Sequence, residues 1–98
     1  MVVRVLVVDD YQPWRRFIRS MLQDLQELQI IGEASDGREA VQKAVQLQPE
    51  LILIDVGLPT LNGIEAARRI REHNPDAKIL FVSEQRSRDV VLEAMKTG

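Results

Sequence analysis

Short, unbroken apolar runs alternate along this chain with longer segments in which apolar residues recur every three or four positions. Unbroken runs rich in Val, Ile and Leu are typical of strands buried on both faces of a parallel sheet. Segments with the longer period are typical of helices that bury one face. The alternation therefore predicts an α/β domain, a doubly wound parallel sheet with helices on its faces. The predicted strands lie near residues 4–8, 29–34, 51–55 and 78–82.

Four helices are predicted between and after these strands. Pro13 suits the first turn of the first helix, and Asp36, with Glu39 three residues later, has the spacing of a capping box before the second. Asn62 is the expected N-cap of a third helix at 63–73. The apolar residues expected to face the core are Trp14, Phe17, Ile18, Met21, Leu22 and Leu25, then Ala40, Val41, Ala44 and Val45, then Ile64, Ala67 and Ile70, and, in a fourth helix at 87–96, Val90, Val91, Ala94 and Met95.

The composition excludes several classes of protein. With 98 residues, 45% of them hydrophobic, the chain is long enough for one domain with a buried core. A formal net charge of −2 argues against a chain that mainly binds nucleic acid, and the cluster Arg68, Arg69 and Arg71 is interpreted as a solvated helix face. The sequence has no cysteine and no run of the roughly 20 apolar residues that a membrane helix needs. We expect a cytoplasmic protein with no membrane partner.

Polar residues stand at the ends of three predicted strands. Asp9 and Asp10 follow the first strand, Asp55 ends the third, and Ser83 follows the fourth. In open parallel sheets, ligands bind outside the carboxyl ends of the strands, beside the point where the strand order reverses. If strands one and three are neighbours, the three carboxylates converge there.

Three carboxylates in a small volume oppose one another's ionisation, and a divalent cation removes that conflict. Hard oxygen ligands that leave room for water and phosphate oxygens suit Mg²⁺. Such a cation would shield an incoming phosphoryl group from the acids, so Asp55, central in the arrangement, is the predicted nucleophile. Taken singly, Asp9 and Asp10 could instead cap the first helix, and Asp55 and Ser83 could be ordinary turn residues. The conjunction of all four at strand ends carries the hypothesis.

Three motifs make the chain resemble the receiver domain of bacterial two-component response regulators. They are Val-Val-Asp-Asp at 7–10, Asp-x-x-x-Pro-x-x-Asn-Gly at 55–63 and Ile-Leu-Phe-Val-Ser at 79–83. The resemblance implies that Asp55 becomes phosphorylated and that Ser83 hydrogen-bonds a phosphoryl oxygen. It also implies that Asp10, Asp55 and the backbone carbonyl of Gly57 are direct Mg²⁺ ligands, and that Asp9 holds the metal mainly through water. The implied phosphodonor is a histidine kinase or a phosphotransfer protein, or a small acyl phosphate.

The resemblance further implies a flavodoxin-like fold of strand order 2-1-3-4, with residues 1–98 forming a receiver domain that lacks the family's fifth strand and fifth helix. A lysine and a switch aromatic of that strand are then missing, so we expect metal binding to survive better than switching. Strand four would become an open edge, and open edges recruit partners. We therefore expect a homodimer, or exchange of elements between two chains, through strand four.

The amino-acid sequences of segments 32–37 and 63–70 are similar to those of the receiver subfamily whose output is a C-terminal helix-turn-helix DNA-binding domain. Transcription regulation would then belong to the parent protein, and no direct nucleic-acid contact is expected of this fragment. The resemblance implies no enzyme activity beyond the domain's own phosphorylation and dephosphorylation.

Three other functions are compatible with a parallel sheet that carries acids at its edge. A Mg²⁺-dependent phosphohydrolase with an aspartyl nucleophile requires an Asp two residues after that nucleophile as general acid and base, and this chain has Gly57 at that position. A flavin- or nucleotide-binding module requires a glycine-rich phosphate-binding loop after the first strand, and this chain has Asp9 and Asp10 there. A structural fragment with an intact but inactive site is the third alternative and stays open.

Overall fold

The computed structural model describes residues 2–82, and these form one parallel sheet with helices on both faces. The strands are β1 (Val3–Val8), β2 (Leu28–Ala34), β3 (Leu51–Asp55) and β4 (Lys78–Val82). Their order is β2-β1-β3-β4, and every pair is parallel. The predicted fold class and strand order are confirmed. The predicted fourth helix and Ser83 lie outside the described residues.

The helices are α1 (Gln12–Gln23), α2 (Gly37–Leu47) and α3 (Gly63–His73). Alternate residues of β1 point to opposite faces of the sheet, as strand geometry requires. Val5 and Val7 pack on the α1 side, whereas Leu6 and Val8 pack on the side of α2 and α3. Because both faces are covered, the central strands bury nearly all their residues, which explains the unbroken apolar runs. None of the helices described between residues 2 and 82 has the length and apolar character needed to cross a membrane.

Side-chain caps begin α2 and α3 at the predicted residues. The carboxylate of Asp36 accepts a hydrogen bond from the Glu39 backbone N–H at 2.8 Å, and Asn62 Oδ1 accepts one from the Glu65 N–H at 2.9 Å. The capping box of α2 closes one residue early, because Glu39 Oε1 accepts from the Ser35 N–H. This backbone hydrogen bond lowers the pKa of Glu39 below its ordinary value. Both helix starts are therefore firmly fixed beside the carboxyl ends of the strands.

The predicted inward orientation was wrong for several apolar side chains. Ile64 is 60% exposed, and Phe17, Leu25 and Val45 are also on the surface. On α3, Ala67 and Ile70 are buried as predicted, together with Gly63 and Ala66. Small residues let the helix backbone approach the sheet, so the face that packs is the one with the least side-chain bulk.

Candidate functional site

Three carboxylates meet at the carboxyl edge of the sheet. Asp9 follows the last residue of β1, and Asp55 is the last residue of the neighbouring β3. Each of Asp9, Asp10 and Asp55 offers a carboxylate oxygen, and these oxygens all lie within 4.8 Å of one another. Asp9 and Asp55 are 2% and 3% exposed, whereas Asp10 is exposed to solvent. The cluster is thus closed on its sheet side and open on the side of Asp10.

The turn after β1 is held by its own acid. Asp9 Oδ1 accepts a hydrogen bond from the Tyr11 N–H at 2.9 Å, and the Asp9 N–H donates to the Ala34 carbonyl at 3.0 Å. The N-cap of α1 is Tyr11, which makes no side-chain capping bond. The interpretation of Asp9 or Asp10 as the N-cap of α1 is therefore wrong.

The donor set fits a magnesium ion. Three hard carboxylate oxygens supply part of an octahedron, and the open side leaves room for water and for phosphate oxygens. Two of these acids are buried within a few ångströms of each other, so their negative charges repel strongly unless a cation is bound. The cluster has the chemistry of a cation site.

The loop after Asp55, residues 56–62, follows a tight path. The Gly63 N–H donates to the Val56 carbonyl at 2.8 Å, which closes the loop onto α3. The Leu61 N–H donates to the Pro59 carbonyl at 2.7 Å, a three-residue turn centred on Thr60. Thr60 has a φ of 63°, which is unfavourable for a β-branched residue. The loop therefore stores strain near the site.

Thr60→Asn is expected to stabilise the protein by about 0.5–1 kcal/mol, because asparagine adopts positive φ more readily than threonine. Urea unfolding followed by circular dichroism measures the change. Thr60→Val is the matched control, since valine keeps the β-branch and removes the hydroxyl that bonds the Pro59 carbonyl. A Thr60→Asn variant no more stable than Thr60→Val would contradict the strain.

Two glycines let the backbone of this loop region pack against α2 and α3. A Cβ on Gly63 would lie 2.1 Å from the Asp55 carbonyl oxygen, and one on Gly37 would lie 1.9 Å from that of Leu61. The Gly37 N–H also donates to the Pro59 carbonyl at 3.4 Å. Gly37 was not predicted to take part in the site, and the one signal for it in the sequence is a glycine directly after the N-cap of α2.

Gly57 and Trp14 lie in different environments. Gly57 lies in the exposed loop two residues after Asp55, and its role as a metal ligand stays a prediction. Trp14 is 8% exposed in the core on the α1 side, stacked on Phe17 with ring centroids 5.2 Å apart. Arg15 was not predicted as a site residue, but its guanidinium donates a hydrogen bond to the backbone carbonyl of Asp9.

Comparison with known proteins gives the family. The family model described as "Response regulator receiver domain" matches residues 5–98. The chain belongs to this family. As a receiver domain, it carries its acid cluster at the predicted edge of the sheet, beside the carboxyl ends of β1 and β3.

Similar proteins include other response regulators. The receiver domain is 42% identical over 82 residues to response regulator GacA of Pseudomonas viridiflava, covering 84% of this chain and 38% of that protein. It is 40% identical over 98 residues to chemotaxis protein CheY of Thermotoga maritima, covering 97% and 78%. The crystal structure of the response regulator domain of Thermotoga maritima CheB superposes with a TM-score of 0.81 at 35% identity, covering 100% and 74%. The chain thus spans about two fifths of the length of GacA.

Proposed function

We propose that this receiver domain accepts a phosphoryl group on Asp55, with Mg²⁺ held by Asp9, Asp10 and Asp55. The observation that carries the proposal is the meeting of three carboxylates from two neighbouring strands, with oxygens within 4.8 Å of one another. When bound, Mg²⁺ neutralises the acids and balances the charge on the phosphoryl oxygens. The buried Asp55 carboxylate is the nucleophile, and the exposed Asp10 lies at the entrance through which a phosphodonor reaches it.

Two further residues complete the proposed site. The backbone carbonyl of Gly57 supplies a direct metal ligand, and the Ser83 hydroxyl donates a hydrogen bond to a phosphoryl oxygen. The support for both is the match of the Asp-x-x-x-Pro-x-x-Asn-Gly segment at 55–63 and of Ser83 to the motifs of the family.

The proposed partner is a sensor histidine kinase or a phosphotransfer protein, which donates the phosphoryl group. The domain acts as a phosphoacceptor and catalyses at most its own phosphorylation and dephosphorylation. Phosphorylation controls a helix-turn-helix output domain of a longer parent protein. The amino-acid sequences of segments 32–37 and 63–70 support this part of the proposal. A phosphohydrolase is disfavoured, because Gly57 offers no side chain for general acid and base catalysis.

Incubation with Mg²⁺ and acetyl phosphate is expected to add one phosphoryl group to the protein, as measured by intact-mass spectrometry. Peptide fragmentation is expected to locate it on Asp55, and no adduct should form when a chelator removes Mg²⁺. Sustained release of phosphate from a phosphate ester would favour the hydrolase instead. Bound Mg²⁺ without any adduct would favour the inactive fragment.

A further inference from the structure

Two arginines one turn apart on α1 share a single acid on β2. Arg15 Nε lies 3.2 Å from Glu33 Oε1, and Arg19 Nε lies 3.0 Å from Glu33 Oε2. Glu33 points toward α1 because its register partner on β1 is Val7, which packs in the core on that side. The two guanidinium groups differ in environment, since the side chain of Arg15 is 15% exposed and that of Arg19 is 52% exposed.

Glu33 is held in its charged form by this pairing. Burial acts to raise the pKa of Glu33, but the hydrogen bonds and positive charges of Arg19 and Arg15 outweigh it and keep the pKa below its ordinary value. The single negative charge of Glu33 balances only one of the two guanidinium charges, so Arg15→Met and Arg19→Met each remove one positive charge from the same group of three. The two arginines therefore differ in the hydrogen bonds that they make.

Arg15 extends from this ion pair to the acid cluster. Its Nη1 donates to the backbone carbonyl of Asp9 at 2.5 Å. That carbonyl belongs to the peptide that joins Asp9 to Asp10, so its orientation determines where the Asp10 side chain starts. The backbone N–H of Asp9 donates a hydrogen bond to the Ala34 carbonyl, so the peptide groups on both sides of the Asp9 Cα are held by hydrogen bonds. The planar guanidinium thus joins β2, through Glu33, to the peptide before Asp10.

We propose that Arg15 is a positioning residue for the metal site: it orients the Asp9–Asp10 peptide so that the exposed Asp10 carboxylate stays beside Asp9 and Asp55. The inference rests on the proposed Mg²⁺ site. Residues that hydrogen-bond to metal ligands and orient them, without contacting the metal, typically contribute about 10–100-fold to metal affinity. Arg19 binds the same Glu33 from a more exposed position, and its contacts give it no such role.

The test measures Mg²⁺ affinity in Arg15→Met, Arg15→Lys and Arg19→Met. The melting temperature is followed as the concentration of Mg²⁺ rises, which gives Kd by linkage and separates it from stability without metal. Arg15→Met is expected to raise Kd about tenfold or more, and Arg19→Met to leave it within about twofold. Arg15→Lys should be intermediate, because its compact ammonium lacks the planar spread by which Nε and Nη1 of Arg15 reach Glu33 and the Asp9 carbonyl at the same time. It also replaces Arg15→Met in the test if Arg15→Met does not fold.

Unchanged Mg²⁺ binding by the Arg15 variants would show that the hydrogen bond to Asp9 does not position the site, and tighter binding would show that the positive charge of Arg15 outweighs that bond. Either result would overturn this inference and leave the proposed metal site standing. So would equal losses in Arg15→Met and Arg19→Met, which would show a merely structural role for the shared ion pair. A wild type that Mg²⁺ does not stabilise would overturn the proposed metal site and this inference together.

Discussion

Asp55→Asn is expected to form no phosphoryl adduct with acetyl phosphate and Mg²⁺, whereas the wild type forms one. An amide is a far weaker nucleophile than a carboxylate, and the two acids that remain beside it, Asp9 and Asp10, follow a different strand, β1. Intact-mass spectrometry of both proteins measures the result. Asp76→Asn is the matched control, because Asp76 is an exposed acid outside the cluster and its variant should form the adduct like the wild type.

The same substitution is expected to stabilise the protein in Mg²⁺-free buffer, by about 1–2 kcal/mol. Asp55 is buried beside two other carboxylates, and a neutral side chain of the same shape removes that repulsion. Urea unfolding with and without Mg²⁺ measures the effect, and the stabilisation by Mg²⁺ should shrink in the variant. An adduct on Asp55→Asn would place the phosphoryl group elsewhere, and a less stable variant would show that the carboxylate does not suffer net repulsion.

Gly63→Ala is expected to destabilise the protein by about 3 kcal/mol or more. The new Cβ would lie 2.1 Å from the Asp55 carbonyl oxygen and 2.9 Å from the Val56 Cα, and backbone atoms cannot rotate away as a side chain can. Phosphorylation should also fall, because the displaced backbone belongs to the predicted nucleophile.

Gly32→Ala is the control for Gly63→Ala. Its Cβ would meet the Leu47 side chain at 2.8 Å, the end of a flexible group that can adopt another rotamer. We expect a change within about 1 kcal/mol, measured by urea unfolding of both variants. Equal losses in the two variants would mean that the backbone contact at Gly63 has no special importance.

The sheet could be predicted well from the sequence, because buried parallel strands give a strong pattern of unbroken apolar residues. Strands that are buried on both faces must be apolar throughout, so the ends of the four strands were found within one residue. The approach of the three acids followed from topology alone, since neighbouring parallel strands end at the same edge. Ser83 lies outside the described residues, and the roles of all the site residues stay predictions.

Helix orientation and backbone contacts were harder to predict. The largest apolar residue near the start of α3, Ile64, was expected to face inward, but the close packing of Gly63 and Ala67 turns it outward. Periodicity gives the width of an apolar stripe, and it does not measure how closely a helix approaches a sheet. The bond from Arg15 to the Asp9 carbonyl joins a side chain to a backbone atom, and residue types carry no signal for it.

The close packing of residues 56–62 against α2 and α3 also restricts how the loop beside Asp55 can move. Gly37 and Gly63 touch backbone oxygens directly, with no intervening side chain that could yield. A displacement toward either helix would therefore have to carry that helix with it. Outward movement would in turn pull Leu58, which is 7% exposed, out of the core on the side of α2 and α3. The segment next to the acids is thus held by backbone contacts on one side and by a buried side chain on the other.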